Sequence, residues 1–541
     1  MKRFRYVPLY AMAKGQKKGP ATTKFRLISD ELTRLVKRGG REILEIEPKA
    51  LTLLAEQAFS DASFFLRTHH LEQITQILED PEASANDKFV AKALLENAAI
   101  SAEGVLPLCQ DTGTAIVYGW KGQNVWTGAN DAEKLAHGVF KTYTKKNLRY
   151  SQNLPLSVFD EINTETNLPA QIDIQCVPGN EFNFLFVIKG AGSANKCSFF
   201  QMNKALLASN ETLENFLREK LKAIGVSACP PYRLAVTIGG TSAEMVIKTN
   251  KLATTDYLDD LVTEPTGFCQ AYRDLEWEDR VLAIGRETGL GAQFTGKYFA
   301  LQARVIRMPR HGGSLPIAIG VSCSAHRNIK GKITKKGIFL EELDKNPARF
   351  LKKAAEIQEQ KGIPVNLDQP IERVIEELSK YPVGTLLKLN GTIIVARDIA
   401  HLKLKKIFEE KNALPDYVRD HPIYYAGPAK TPKGMPTGSF GPTTAERMDA
   451  YVPDFLKAGY SRITLAKGNR NQSVIDACKK YNGFYLGTIG GAAALVAREN
   501  ILSSEVVAFE DLGMEAIRKI KVRDFPAFIV FDNKGNSLYG L

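Results

Sequence analysis

Apolar residues between Pro48 and Ala102 recur at spacings of three and four positions, which is the period of an amphipathic helix. The segments ALTLLAEQAF, HLEQITQIL and DKFVAKALLENAA each show this spacing. Pro81 and the polar pair Asn86–Asp87 interrupt the pattern, as residues that break or start helices do. The pattern therefore predicts a region of several helices.

Beyond this region, short apolar runs alternate with amphipathic segments, which is the pattern of a mixed α/β domain. Strands are predicted for the runs QIDIQCV, NFLFVIKG, RLAVTIGG, KYFALQARVIRMP and SLPIAIGVSC. Helices are predicted for ETLENFLREKLKAI and RDLEWEDRVLAIGRETGLG, the second of which should end at Gly289. We expect this domain to extend to about residue 340.

A charged segment with prolines towards both ends covers residues 341–370 and is the best linker candidate. Behind it, TLLKLNGTIIVARDIAHLKLKKIFE predicts strand, turn, strand and helix, and SRITLAKGN followed by NQSVIDACKKYN predicts a strand that enters a helix. The last residues predict strands with a hairpin at Asp532–Gly535.

The fold class expected from these patterns is mixed α/β (α+β) with a two-domain subunit. Its parts are a basic N-terminal tail (1–46), an N-terminal domain that starts with helices (47–340), the linker (341–370) and a smaller α/β C-terminal domain (371–541). At 541 residues the chain exceeds what one hydrophobic core supports, which agrees with two or three domains.

Composition narrows the class of protein. Hydrophobic residues make up 44% and charged residues 24%, and no apolar run is long enough to span a bilayer, so we expect a globular protein without a membrane partner. The net charge of +12 indicates either attraction of anions or a lysine-rich surface. The basic runs lack interleaved aromatic residues, so we expect no nucleic-acid partner.

The N-terminal segment has several lysines and arginines and no acidic residue before Asp30. It contains little serine, no clear amphipathic helix and no apolar stretch of a secretion signal. We therefore interpret it as a flexible basic tail and expect a cytoplasmic protein, with an organellar transit peptide as the alternative.

Several Gly-rich polar segments follow predicted strands, where α/β sheets place their ligands. KGAGSANK and IGGTSAE have the form of anion-binding loops, although plain turns share this composition. In the second domain, SFGPTTAERMD, Arg397 and Lys467 put cations at the ends of strands or helices. Three cations at such positions favour an acid-binding site over the alternative, which is unrelated cations on the surface.

The seven cysteines are odd in number, widely spaced and without a CxxC motif, so they suggest neither a disulfide framework nor a zinc ribbon. Only three lie in polar segments rich in glycine or proline: Cys109, Cys229 and Cys323. They are either buried structural thiols or the ligands of a three-thiolate iron–sulfur site, which would leave one iron open. His311, in the loop PRHGGSLP, is likewise either structural or catalytic.

The stretches LCQDTGTA, GGTSAE, GPTTAERMD, LAKGN and FYLGTIGG occur in this order along the chain. Together they resemble the class I fumarate hydratase family, the iron–sulfur fumarases, in its single-chain form. The similarity extends from about Glu47 to Leu541. It implies a hydro-lyase that interconverts (S)-malate with fumarate and water, a homodimer of two-domain subunits, and an active site between the domains. It also implies a [4Fe–4S] cluster on Cys109, Cys229 and Cys323, whose fourth iron binds the substrate.

The resemblance further implies substrate contacts at Gln110, Asp111, Arg149, Gly192, Asn195, Lys196, Arg397, Thr443, Thr444, Arg447 and Lys467. It makes Thr443 the base and has Asp111 and His311 support proton transfer. The chemistry agrees with this set, because removing the proton creates an aci-carboxylate dianion that fixed cations stabilise. The leaving hydroxide needs a Lewis acid, which the open iron would supply.

Two positions depart from the family pattern. Glu446 stands where glycine is usual, and its carboxylate would either weaken binding of the dianion or point to solvent. His326 stands where an aspartate is usual after the third cysteine. These departures leave the preference among fumarate, mesaconate and tartrate open. The alternative from another class is a non-catalytic iron–sulfur sensor, which would not need the cations Arg397, Arg447 and Lys467.

Overall fold

The computed structural model describes residues 4, 6–10, 23–354 and 360–540. Residues 1–3, 5 and 11–22 of the predicted tail, residues 355–359 of the predicted linker and residue 541 lie outside the described residues. Among the described helices, none combines the length and the apolar character that crossing a bilayer requires.

Helices and strands are mixed throughout the described chain, which confirms the predicted fold class. The helices are α1 (Pro48–Phe64), α2 (Thr68–Glu79), α3 (Ala85–Ser101), α4 (Asp131–Lys145), α5 (Ala191–Asn195), α6 (Asn210–Ile224), α7 (Ala243–Ala253), α8 (Leu275–Glu287), α9 (Leu351–Ala354), α10 (Ile371–Leu378), α11 (Asp398–Lys411), α12 (Asp416–Asp420), α13 (Val452–Lys457), α14 (Gln472–Tyr481) and α15 (Ala493–Leu495). Shorter helical turns lie at Lys204–Leu207, Pro347–Phe350, Ala445–Met448, Val496–Asn500 and Glu510–Glu515.

The strands are β1 (Phe25–Ser29), β2 (Thr33–Arg38), β3 (Arg41–Ile46), β4 (Thr114–Gly122), β5 (Val125–Trp126), β6 (Asn153–Pro155), β7 (Glu161–Asn163), β8 (Gln171–Val177), β9 (Phe182–Lys189), β10 (Ser198–Met202), β11 (Tyr232–Gly240), β12 (Tyr272–Arg273), β13 (Ala300–Arg310), β14 (Leu315–Ser322), β15 (Asn328–Thr334), β16 (Gly337–Glu341), β17 (Ile363–Asn366), β18 (Leu386–Val395), β19 (Ile423–Tyr424), β20 (Ala426–Pro428), β21 (Phe440–Pro442), β22 (Ile463–Ala466), β23 (Phe484–Gly487), β24 (Ile501–Ala508) and β25 (Ile517–Phe531).

Three larger sheets carry the fold. The first has the strand order β1-β16-β15-β9-β4-β8, and the second has the order β10-β14-β11-β13-β12. The third has the order β17-β18-β19-β22-β23-β25-β24, and its long strand β25 pairs with both β18 and β23. The strands β18, β19, β22, β23 and β25 therefore form a closed circuit of pairings.

Helices cover the outer faces of the first two sheets, α1 and α4 on the first and α6 and α8 on the second. The inner faces of these sheets share a core, in which Val187 of β9 and Ile306 of β13 are buried. Helices α2 and α3 instead share a core with the third sheet, and Phe89 of α3 meets Phe528 of β25 edge-on at 5.4 Å. The N-terminal and C-terminal parts are therefore joined by buried apolar contacts.

Most of the elements expected from the sequence are present. Helices α1, α2 and α3 confirm the helical region, and the Ser84 hydroxyl caps α3 by accepting from the Asp87 N–H. The expected strands are found as β8, β9, β11, β13 and β14, and the expected helices as α6 and α8. The chain also turns at Asp532–Gly535, although only a single bridge, between Phe531 and Ser537, follows in place of a second strand.

The described residues 25–46 differ from the predicted tail, because they form β1, β2 and β3. β1 pairs with β16, and β2 and β3 form a hairpin whose turn contains Gly39 and Gly40 at positive φ. Leu44 and Ile46 of β3 are buried. The signal missed in the sequence is the Gly-Gly turn between two short strands of alternating polarity.

Two further differences concern the predicted linker and the predicted strand–turn–strand. Within residues 341–370, β17 joins the third sheet, and the buried Asp344 accepts a hydrogen bond from Thr68 at 2.9 Å, so this stretch packs on the fold. Residues 386–395 form the single strand β18, and Gly391, at φ 125°, marks a shift of register against β25. The glycine makes a bulge rather than a turn, because β25 pairs with β18 on both sides of it.

The polar loops at the strand ends of all three sheets meet on one side of the molecule. In the first sheet, β4 begins beside the end of β9, since Thr114 pairs with Lys189. In the second, β11 begins beside the end of β14, since Arg233 pairs with Ser322. In the third, the parallel strands β18, β19, β22 and β23 have their carboxyl ends at one edge, where such sheets bind ligands.

A buried ion pair holds the loop that follows β22. Arg470 Nε donates to Asp449 Oδ1 at 2.7 Å, and Asp449 Oδ2 accepts from the Asn471 N–H at 2.7 Å. The side chains of Arg470 and Asp449 are 0% and 3% exposed. Removing one partner of such a pair leaves the other charge buried and uncompensated.

We expect Asp449→Ala to lower the free energy of unfolding by about 3–5 kcal/mol, because Arg470 then lacks its counter-charge. Chemical or thermal unfolding measures the change. The matched control is Asp454→Ala, at an exposed position of α13, which should stay within about 0.5 kcal/mol of the parent chain. Equal losses of unfolding free energy in Asp449→Ala and Asp454→Ala would contradict the stabilising role of the ion pair.

Candidate active site

The three cysteines predicted to act together come from loops at this junction. Cys109 precedes β4, Cys229 precedes β11 and Cys323 follows β14. The Ser324 N–H donates to the Cys229 carbonyl at 3.0 Å and ties two of the loops together. Cys229 has a φ of 63°, a costly backbone conformation for a residue with a side chain and one that clusters at functional sites.

The three thiols lie within electrostatic reach of one another. Burial raises the pKa of Cys229 to about 11; Lys467 opposes this shift, and charge on Cys323 and Cys109 adds to it. Burial also raises the pKa of Cys109, and Cys323 again adds to the shift. These mutual effects are what neighbouring thiols would show, and the assignment of the three cysteines to one site stays a prediction.

Two cations lie beside the thiols. Lys467 Nζ donates to Cys229 Sγ at 2.9 Å. Burial alone would lower the pKa of Lys467, but the neighbouring thiols, Cys229 foremost, raise it. The buried Arg327 has an Nε–H without a hydrogen-bond partner among the described residues, so it keeps a donor available to a ligand.

The chemistry of this donor set fits an iron–sulfur cluster. Among the described residues, no group of three or more His, Cys, Asp or Glu side chains is arranged to hold one metal ion. In a [4Fe–4S] cluster each thiolate binds a different iron, so the ligands need not converge on one ion. Three thiols, of which those of Cys109 and Cys229 are buried, two adjoining cations and the free donor of Arg327 therefore fit a thiolate-bound cluster of negative charge.

Glutamine and aspartate follow Cys109 directly and take separate positions. Gln110 is buried and donates to the Pro442 carbonyl at 3.0 Å, which joins the first cysteine loop to the C-terminal part. Asp111 Oδ1 lies 3.0 Å from Arg149 Nη2, and its Oδ2 accepts from the Ala191 N–H at 2.8 Å.

The Asp111 carboxyl is held in its ionised form. Burial alone would raise the pKa of Asp111, but the positive charges of Arg149 and Arg327 outweigh burial and hold it at about 2. Asp111 is therefore a carboxylate at neutral pH, and its hydrogen-bonding atoms are acceptors.

The C-terminal part contributes arginines and a threonine. Arg447 Nη1 donates to Thr443 Oγ1 at 2.8 Å, and Arg447 Nη2 pairs with Asp398 Oδ2 at 2.6 Å. Thr444 forms a backbone bridge with Lys467, so this loop is joined directly to the strand end that carries the lysine. Burial, and next the charge of Arg149, lower the pKa of Arg397 to about 10. Arg397 and Arg149 therefore lie close together, although they come from different parts of the chain.

The predicted residues of KGAGSANK divide between the site and the surface. A Cβ on Gly192 would lie 3.6 Å from Lys467 Nζ, so α5 approaches the thiol-bound lysine closely. Asn195 is exposed at the end of α5. Lys196 Nζ donates to the Ala223 carbonyl at 3.5 Å and is directed towards the end of α6.

The structure does not bring His311 to the thiols within one chain. His311 follows β13 and is exposed, whereas Cys323 follows β14, which runs antiparallel to β11 towards the opposite end of the same sheet. The length of β14 separates the two ends by roughly 23 Å at about 3.3 Å per residue. A role for His311 in catalysis stays a prediction, and it requires a second copy of the chain to present the ring.

Sequence reasoning missed three charged residues of this junction: Arg327, Asp398 and Glu515. Arg327 follows the third cysteine by four positions, and Asp398 directly follows Arg397, so both had a signal in the neighbouring motif. Glu515 Oε1 lies 3.3 Å from Arg397 Nη2 although the two are far apart in sequence, and no local pattern indicates it.

Comparison with known proteins gives two family models that together span most of the chain. "Fumarate hydratase (Fumerase)" matches residues 52–332, and "Fumarase C-terminus" matches residues 337–541. "Fumarate hydratase class I, aerobic" of Escherichia coli (strain K12) is 55% identical over 96% of this chain and 94% of that protein. The chain belongs to the class I fumarate hydratase family.

Other members of the class I fumarate hydratase family are similarly close. "Fumarate hydratase class I, anaerobic" of Escherichia coli (strain K12) is 54% identical over 96% of this chain and 95% of that protein. "Fumarate hydratase 1, mitochondrial" of Leishmania major is 52% identical over 99% of this chain and 97% of that protein. The resemblance inferred from five short motifs is therefore confirmed over the whole length of the chain.

The two departures from the class I fumarate hydratase pattern have different surroundings. Glu446 is exposed, which agrees with the alternative that it points to solvent. His326 is buried, and its Nε2 lies 2.9 Å from Asp256 Oδ2. Burial, and next the charge of Arg233, lower the pKa of His326 to about 3, so its ring is neutral. A neutral histidine paired with Asp256 thus stands where the family pattern has an aspartate.

We expect Gly490→Ala to disturb this site, because a Cβ there would overlap Cys229 Sγ. Gly490 cannot withdraw, since its N–H donates to Gln293 Oε1 at 2.7 Å and its carbonyl accepts from Gln293 Nε2 at 2.9 Å. Overpacking of this kind should cost about 1–3 kcal/mol in a thermal unfolding experiment. Gly312→Ala is the control, since a Cβ there meets nothing within 4 Å. An unchanged stability of Gly490→Ala would contradict this prediction, because it would mean that the loop can move aside to accept the added Cβ.

Proposed function

We propose that this chain is a [4Fe–4S]-dependent hydro-lyase that interconverts (S)-malate with fumarate and water. The observation that carries the proposal is the convergence of three thiols, two of them buried, with Lys467 and Arg327 at the junction of the three sheets. Membership of the class I fumarate hydratase family supports it. The fold alone would not decide the reaction, but this site restricts it.

In this proposal Cys109, Cys229 and Cys323 hold the cluster, and Lys467 and Arg327 offset its negative charge. The cluster, when bound, supplies a Lewis-acidic iron that would assist departure of the substrate hydroxyl. Gln110 and the apolar strand β4 help to enclose the site, because both are buried. Exclusion of water strengthens every electrostatic contact inside.

Dicarboxylate binding follows from the distribution of buried cations. Arg149 and Arg397 carry like charges in a site of low dielectric, and each disfavours the charge of the other. Arg397 Nε has no hydrogen-bond partner among the described residues. A dianion between these arginines would satisfy the free donor and offset their repulsion, and the same charges would stabilise the aci-carboxylate.

Proton transfer is assigned to Thr443, with Asp111 in support. The guanidinium of Arg447 donates to the Thr443 hydroxyl oxygen, and such a bond favours the deprotonated hydroxyl. Asp111 is ionised, so it can accept a hydrogen bond and orient a proton donor. Gly192, Asn195, Lys196 and Thr444 are the remaining proposed substrate contacts, and of these Gly192 and Thr444 lie beside Lys467.

A homodimer and a cytoplasmic location are part of the same proposal. If His311 supports proton transfer, it does so in the site of the second copy, because β14 keeps it far from the thiols of its own chain. Among substrates, mesaconate and tartrate are the alternatives to fumarate and malate. A sensor without catalysis is disfavoured, because it would have no need to bury Arg397 without a full set of partners.

We expect Cys109→Ser, Cys229→Ser and Cys323→Ser each to abolish both the visible absorbance of the cluster and the turnover of malate in anaerobically purified protein, because each thiolate would bind one iron. Cys269→Ser is the control, since Cys269 is an exposed cysteine in a loop away from these segments. Retained absorbance and turnover in any one of the three variants would remove that cysteine from the ligand set.

Turnover of fumarate, mesaconate and tartrate by the anaerobic enzyme tests the substrate. One added methyl or hydroxyl changes transition-state binding by about 1–3 kcal/mol, so we expect kcat/KM for fumarate to exceed the others by about 10- to 200-fold. Negligible turnover of fumarate beside efficient turnover of another acid would overturn the primary assignment.

A further inference from the structure

Each arginine proposed to bind substrate is accompanied by a carboxylate of the chain itself. Asp111 accompanies Arg149 at 3.0 Å and Asp398 accompanies Arg447 at 2.6 Å. Glu515 accompanies Arg397 at 3.3 Å. Glu515 is remote in sequence from every motif considered above, so its position calls for a physical reason.

Glu515 makes two contacts at the beginning of α11. Its Oε1 faces Arg397 Nη2, and its Oε2 accepts from the Ile399 N–H at 3.2 Å. Ile399 lies in the first turn of α11, where N–H groups have no partner within the helix. The carboxylate therefore fixes itself to the helix N-terminus with one oxygen and presents the other to the arginine.

The turn Glu510–Glu515 that carries this residue is fastened to α11 a second time. Lys403 Nζ pairs with Asp511 Oδ2 at 2.7 Å and lies 5.0 Å from the centre of the Phe509 ring. The side chain of Glu515 is 25% exposed and that of Arg397 is 10% exposed, so this ion pair is shielded from most of the solvent. Shielded pairs of this kind restrain side-chain position more than exposed pairs do.

Arg397 retains donors for a ligand in spite of this pair. The 3.3 Å contact engages only Nη2, and Nε is buried without a partner among the described residues. A guanidinium has five N–H donors, so one carboxylate at its edge leaves most of them for another anion. Glu515 thus supplies counter-charge and orientation without occupying the whole arginine.

Without Glu515, the next carboxylate that attracts Arg397 is Asp398. Asp398 already pairs with Arg447, so both arginines would then compete for one carboxylate. The orientation of both guanidiniums would be lost together.

We propose that Glu515 is a positioning residue of the substrate site, which holds Arg397 ready for a substrate carboxylate and keeps Asp398 free for Arg447. The inference rests on the proposed function. Arg397 is also one of the cations proposed to stabilise the aci-carboxylate, so its orientation affects both the binding of a C4 dicarboxylate and the rate of the reaction.

The experiment uses anaerobic holoenzyme and measures the inhibition constant of succinate, an unreactive C4 dicarboxylate, together with KM and kcat for malate. We expect Glu515→Gln to raise the succinate inhibition constant and KM roughly tenfold, about the net worth of one charge-assisted hydrogen bond, and to lower kcat as well. The visible absorbance of the cluster should not change. A general loss of structure would reduce this absorbance, so the measurement separates the two explanations.

Glu510→Gln is the matched control, because it removes the same charge from an exposed position of the same turn. It should leave the succinate inhibition constant unchanged. If Glu515→Gln does not fold, Glu515→Asp, which keeps the charge on a shorter side chain, should raise the succinate inhibition constant severalfold.

An unchanged succinate inhibition constant in the Glu515 variants would mean that Glu515 has no effect on binding, and a lower constant would mean that it competes with the ligand for Arg397. Either result would overturn the positioning role. Equal weakening by Glu510→Gln would also overturn it. If the parent enzyme neither binds succinate nor turns over malate, the proposed function itself fails, and this outcome is distinct from the others.

Discussion

Buried positive charge at the junction of the three sheets is the constraint on which the rest of the structure depends. Lys467, Arg327, Arg149 and Arg397 are enclosed together, and burying like charges costs free energy unless anions accompany them. The chain supplies Asp111 and Glu515 on one side. On the other side, the cysteine thiols would carry negative charge when deprotonated. Arg327 and Arg397 each keep an Nε–H without a partner among the described residues, so both can also bind an anion that the chain does not provide.

The arrangement of sheets explains why such a site forms here. Strand ends of the first and second sheets deliver the cysteine loops, and the carboxyl edge of the third delivers Arg397 and Lys467. The shared core of α2 and α3 with the third sheet then fixes the two parts against each other. The contact of Lys467 with Cys229, and that of Gln110 with Pro442, are consequences of this packing.

Local pattern was enough to predict much of the fold. Helical period located α1, α2 and α3, and apolar runs located the central strands such as β11 and β14. The charged residues of β2 and β3 are typical of a solvated tail, so their composition alone does not predict the hairpin that they form. The glycine at 391 is typical of a turn, and only the pairing of β18 with the distant β25 shows that it is a bulge. The sequence predicts the site residues that lie within the polar motifs. It does not predict Glu515, which contacts Arg397 only because tertiary packing brings the two together. His311 was grouped with the site by resemblance, and the direction of β14 separates it from the thiols of its own chain.

The central claim is that three cysteine thiolates hold a cluster whose remaining iron meets a dicarboxylate oriented by the buried cations. Mössbauer spectroscopy of anaerobic protein reconstituted with isotopically enriched iron tests it most directly. We predict one iron distinct from the other three, with a signal that changes on addition of malate while the other three stay constant. Iron signals that do not respond to malate, or protein that binds no cluster when all three cysteines are intact, would contradict the account.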